Sequence, residues 1–118
     1  MNLTRISFFI FVSSLFVSCA ESTLEVEVTN NTEGILEEVV VATSSGKSYV
    51  EFQNLKAGET QTQVLDMSEE TGGDGSYSLN VVDLGTTESY GYYTNGSPME
   101  SKMKIEVGEE ENKVDFIN

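Results

Sequence analysis

The sequence predicts an all-β fold, an antiparallel β-sandwich of seven or eight short strands after an N-terminal signal helix. Three observations carry that expectation. Apolar and polar residues alternate with a period of two through most of the chain after Cys19. Clusters of Gly, Asn, Ser and Asp interrupt the alternation every eight to twelve residues. Helical spacing of apolar residues is hard to find over the same stretch. A small open barrel is the alternative way of closing such a set of strands.

Residues 1–18 stand apart from this pattern. Arg5 is their only charged residue, and the run from Ile6 to Val17 is almost wholly apolar. A basic start followed by a short apolar run is the layout of an export signal. At about a dozen residues the run falls short of the ~20 that a spanning helix requires. Leu15-Phe16-Val17-Ser18-Cys19 resembles the lipobox of bacterial lipoproteins, although Phe16 replaces the usual Leu and Val17 the usual Ala or Ser. The resemblance implies cleavage after Ser18, a diacylglycerol on the sulfur of Cys19, and an acylated new amino group. Cys19 is the single cysteine of the chain, so no intramolecular disulfide is available. Ala20 in place of Asp after the cysteine implies sorting to the outer membrane, at its periplasmic face or on the cell surface. Glu21 is similar to the acidic residues that follow the cysteine in surface lipoproteins of Bacteroidota. Three segments result: signal 1–18, lipidated cysteine and short tether 19–22, and domain 23–118.

The strands follow in order. Thr23–Thr29 places Leu24, Val26 and Val28 on one face, and Asn30-Asn31-Thr32-Glu33-Gly34 turns the chain. Ile35–Ala42 is β-branched enough to disfavour a helix. After Ser44-Ser45-Gly46-Lys47 comes a third strand with Tyr49, Val50 and Phe52. Thr60–Met67 is the fourth, with Val64, Leu65 and Met67 as its apolar residues. A glycine-rich loop, Ser68–Gly75, leads to Ser76–Asp83, whose Tyr77, Leu79 and Val81 point inward. In Ser89–Thr94 the alternation puts Tyr90 and Tyr92 over the core and Tyr93 outside. Asn95-Gly96-Ser97-Pro98 is a strong turn signal. Lys102–Val107 directs Met103, Ile105 and Val107 inward, Glu109-Glu110-Glu111-Asn112 turns, and Val114 with Phe116 closes the eighth strand.

Leu24–Asn31, together with Asn54-Leu55-Lys56-Ala57-Gly58-Glu59-Thr60, resembles immunoglobulin-like modules of bacterial envelope proteins over residues 23–83. The resemblance implies an immunoglobulin-like sandwich and transfers no activity. The tryptophan and cysteine pair of antibody domains are absent.

Composition narrows the function. The chain of 118 residues carries a formal charge of −14, and removal of Arg5 with the signal makes it one unit more negative. Phosphate neutralisation requires Lys and Arg, so nucleic acid is not an expected partner. Histidine is absent, which removes Ser-His-Asp and Cys-His catalysis and the usual zinc sites. No glycine-rich loop has phosphate-cradling spacing. Adjacent carboxylates such as Glu37 and Glu38 suit glycosidase chemistry, but twenty acidic residues produce such pairs by chance. The expectation is a non-catalytic protein with no catalytic residues, no cofactor and no bound metal.

Three features remain. Asp66–Gly75 offers oxygen ligands on a flexible loop, as calcium prefers, without the spacing of an EF-hand; a solvated loop is the plainer reading. Tyr93, taken as exposed beside Asn95, is the candidate for stacking on a sugar ring or a protein partner. Glu106 with Glu109–Glu111 reads as a solvated turn guarding an edge strand. The expected function is a membrane-tethered envelope lipoprotein that binds a protein or glycan or acts as an accessory subunit. The alternative is a structural spacer.

Overall fold

The computed structural model describes residues 22–118, so the signal and Cys19 lie outside the described residues. It is an all-β sandwich. In chain order the strands are β1 (Thr23–Asn30), β2 (Leu36–Thr43), β3 (Tyr49–Leu55), β4 (Thr60–Asp66), β5 (Gly75–Val81), β6 (Thr86–Thr94), β7 (Ser97–Pro98), β8 (Lys102–Val107) and β9 (Asn112–Ile117). The eight strands expected from alternation are present, and the two-residue β7 is added to them. Ile35 falls outside β2 and is exposed. The fifth strand stops at Val81, because Val82–Leu84 form a 3₁₀ turn closed by Gly85 in the left-handed region at φ 66°.

Two sheets pack face to face, one of four strands in the order β4-β1-β8-β9 and one of five in the order β3-β2-β5-β6-β7. All neighbours are antiparallel except β1 and β8, the central pair of the first sheet. The two motifs behind the immunoglobulin resemblance meet in space, but the strand order has its own form. In antibody domains the first two strands share a sheet; here β1 and β2 lie in different ones. The crossing is made at Asn30, which is wholly buried. Its side-chain amide donates to the carbonyls of Gly34 and Leu55, both at 2.8 Å. Its carbonyl oxygen accepts from the backbone and hydroxyl of Thr32 at 2.8 and 2.6 Å. Its backbone N–H donates to Glu59, and its backbone oxygen accepts from Gly58. A buried amide is tolerated because every polar group is satisfied.

The core follows the alternation. Leu24, Val26 and Val28 of β1, Tyr77, Leu79 and Val81 of β5, and Met103, Ile105 and Val107 of β8 are buried. Full burial of each aliphatic chain contributes about 1.5–3 kcal/mol. Tyr77 sits centrally, its ring 5.5 Å from Tyr93 and 5.8 Å from Phe116. Val64 does not join this core. Its neighbour Leu65 takes the inward position and leaves Val64 57% exposed.

Near the end of β6 the period breaks. Gly91 has φ 68°, and the register with β5 shifts between Gly75 and Tyr77. The irregularity turns the strand, so Tyr93 faces inward at 2% exposure while Tyr92 faces solvent at 51%. The outward placement expected of Tyr93 is therefore corrected to Tyr92. Tyr90 remains partly buried against the core, as expected.

Candidate functional site

Pairing across the five-stranded sheet assembles its solvent face row by row. Tyr49 lies beside Ala42, Ala42 beside Ser78, and Ser78 beside Ser89. In the adjacent row stand Glu51, Val40, Asn80 and Thr87. Apart from Tyr49 and Glu51 the side chains here are short, and they alternate with the bulky inward residues. Among these eight residues Glu51 alone is charged, in a chain with twenty acidic residues. Their groups can hydrogen-bond: the Thr87 hydroxyl donates to Asn80 Oδ1 at 3.4 Å, and the Ser78 hydroxyl to the Ala42 carbonyl at 3.5 Å. Tyr49, 59% exposed, stands at one margin, and Tyr92 extends the β6 margin.

Tyr92 is held in place. Its hydroxyl donates to Asp74 Oδ2 at 3.1 Å, and the backbone N–H of Asn95 donates to Asp74 Oδ1 at the same distance. The bond to Asp74 raises the phenol above its ordinary pKa. Asn95 is exposed with φ 51°, and the following Gly96 donates to the carbonyl of Gly73 at 2.7 Å. The β6–β7 turn and the 68–75 loop are thereby fastened together. Asn95 keeps the surface position expected of it, beside Tyr92 rather than beside an exposed Tyr93.

Tyr93 works from inside. Its hydroxyl points at Glu70 Oε1, 3.5 Å away. Glu70 also accepts from the hydroxyls of Ser48 at 2.6 Å, Ser45 at 2.8 Å and Thr43 at 2.9 Å. Burial alone would push this carboxyl upward, but the hydroxyl donors outweigh it and hold the pKa below the ordinary value. The loop read as possible calcium ligands thus spends its central carboxylate on the neighbouring β2–β3 turn. Among the described residues, no group of three or more His, Cys, Asp or Glu is placed to hold a metal ion. Burial also drives the phenol of Tyr77 far above its ordinary range. The Glu70 hub was missed in the sequence because spacing in the chain does not reveal which carboxylate folds back on a distant turn.

Two open grooves mark other parts of the surface. One of ≈ 540 Å³ is lined by Thr23, Glu25, Val64, Met99 and Glu100 among others, and one Glu100 oxygen is buried without a hydrogen-bond partner. The other, ≈ 350 Å³, lies between the β5–β6 and β8–β9 connections, where Glu109, Glu110 and Glu111 are exposed. Glu106 accepts from Asn31 at 2.8 Å.

The chain matches no protein-family model, no curated protein and no solved structure.

Proposed function

We propose that this chain is a non-catalytic lipoprotein of the bacterial cell envelope, tethered to the outer membrane through Cys19, whose sandwich binds a glycan or protein partner or serves as an accessory subunit. The observation that carries the reading is the pair of rows on the solvent face of the five-stranded sheet in which Glu51 is the one charge, with the two exposed tyrosines at their margins. Charge covers most of an acidic protein for solubility, so two adjoining rows with a single charge, offering hydroxyls, an amide and aromatic rings, are suited to a partner. Rings with a polar tip stack on apolar faces and still hydrogen-bond at the rim. The Asp74 bond holds the Tyr92 ring before any partner arrives, which reduces the ordering cost of binding.

The test places a photo-crosslinking residue at Tyr92 in intact cells and, in parallel, runs the protein through gels containing envelope polysaccharides. A discrete adduct, or a retardation lost in Tyr92→Ala and Tyr49→Ala, supports binding. A smear without discrete adducts, together with unretarded migration in every polysaccharide, would replace it with the spacer role.

A further inference from the structure

We propose that the opposite face, the part of the four-stranded sheet around the Thr23–Met99 groove, docks on the lipid bilayer that holds the anchor. This rests on the lipoprotein reading above. Thr23 lines the groove and is four residues from Cys19, at most about 14 Å of extended chain. With lipid on that cysteine, the bilayer lies within reach of the groove, and the tether is too short for the domain to turn this region far away.

The surface there suits a bilayer. Strand pairing sets Val64, Glu25, Lys102 and Ile117 in one row across the sheet. Val64 is 57% exposed, Ile117 41%, and Met99 in the adjoining groove 56%. The charges between them are matched: Lys102 lies 3.1 Å from both Glu25 and Glu27, and Lys104 3.9 Å from Glu27. In so acidic a chain this pairing leaves the row close to neutral. Apolar side chains flanking paired charges fit the boundary between headgroups and acyl chains, where apolar area supplies the binding. An anionic leaflet would repel the domain as a whole. The net charge of the chain therefore favours a zwitterionic leaflet, such as one of phosphatidylethanolamine. Docked in this way, the molecule turns the solvent face of the five-stranded sheet, with Tyr49 and Tyr92, away from the membrane.

The chain has no tryptophan, so Met99→Trp installs a lone reporter. The full-length variant is produced in a lipoprotein-processing bacterium and reconstituted in phosphatidylethanolamine–phosphatidylcholine vesicles with acyl chains brominated near the headgroup. Mass spectrometry of the N-terminal peptide reads the lipid separately. Val64→Trp guards against a local effect at position 99, and Val82→Trp, at the far end, serves as control. With lipid present, docking quenches positions 99 and 64 at least about twofold more than position 82. Lipid present with equal quenching at all three positions would overturn docking and leave the lipoprotein reading intact. So would quenching that strengthens when phosphatidylglycerol replaces phosphatidylethanolamine. An unmodified N-terminal peptide would remove the lipoprotein reading, and docking with it.

Discussion

A carboxylate surrounded by hydroxyl donors gives up its proton more readily than one in water, and Glu70 collects donors from Thr43, Ser45, Ser48 and Tyr93. Its pKa is lowered in the folded state. The resulting stabilisation is present above the unfolded carboxyl value of about 4.3 and is lost as pH falls through the lower folded value. Glu59 and Asp66, lowered by backbone N–H donors from Lys56 and Ser68, act in the same direction. Thermal melts between neutral and strongly acidic pH should show a falling midpoint below about pH 4. In Glu70→Ala the midpoint at neutral pH should drop by the equivalent of about 2–3 kcal/mol, because hydroxyls of Thr43 and Ser48 lose a charged acceptor. The acid-induced fall should also be shallower. An unchanged neutral midpoint would show that the hub is ornamental to stability. At this scale the sequence was least legible: Tyr92 and Tyr93 exchanged roles, and Glu70 was one acidic residue of twenty. The glycine between Tyr90 and Tyr92 was the available signal, since a glycine inside a strand often marks a bulge.

Strands as elements follow directly from alternation, and β8 coincides with its expected span, Lys102–Val107. Elements end where local backbone geometry intervenes, as at Gly85 after the 3₁₀ turn. Gly91 is the sharpest case. Its φ of 68° disfavours any side chain, and a methyl group added there would fall into the ring of Phe116 on β9. Gly46, with φ 79° and open space around it, shares only the first constraint. Gly46→Ala should therefore cost about 1–2 kcal/mol, the left-handed penalty alone. Gly91→Ala should cost about 2–4 kcal/mol by adding overpacking between the sheets. Urea midpoints of the two variants check the difference. Equal costs would mean that Phe116 moves aside freely and that the two sheet edges are not fastened there. The two-residue β7 was not legible as a strand, because two residues have no period to read.

For the whole molecule, the sandwich was legible but its wiring was not. A period of two tells which side of a strand faces the core and says nothing about which strand lies beside it. The parallel β1–β8 pair and the division of β1 and β2 between sheets depend on contacts far apart in the chain, with Asn30 bonding Leu55 at the crossing. Charge behaves in the same collective way. Twenty acidic residues face six basic ones, and Lys102 and Lys104 are engaged with Glu25 and Glu27. These partly exposed pairs contribute about 0–1 kcal/mol each, whereas the unmatched carboxylates repel one another throughout the surface. Screening therefore relieves more repulsion than it removes attraction. Raising sodium chloride from about 10 mM, where the Debye length is ~30 Å, to about 150 mM, where it is ~8 Å, should raise the thermal midpoint by several degrees at neutral pH. The rise should shrink toward pH 4 as carboxylates protonate. A midpoint that falls with salt would mean that the Glu25–Lys102–Glu27 network outweighs the repulsion, and that the row bearing the proposed membrane contact is held by charge more firmly than its exposure suggests.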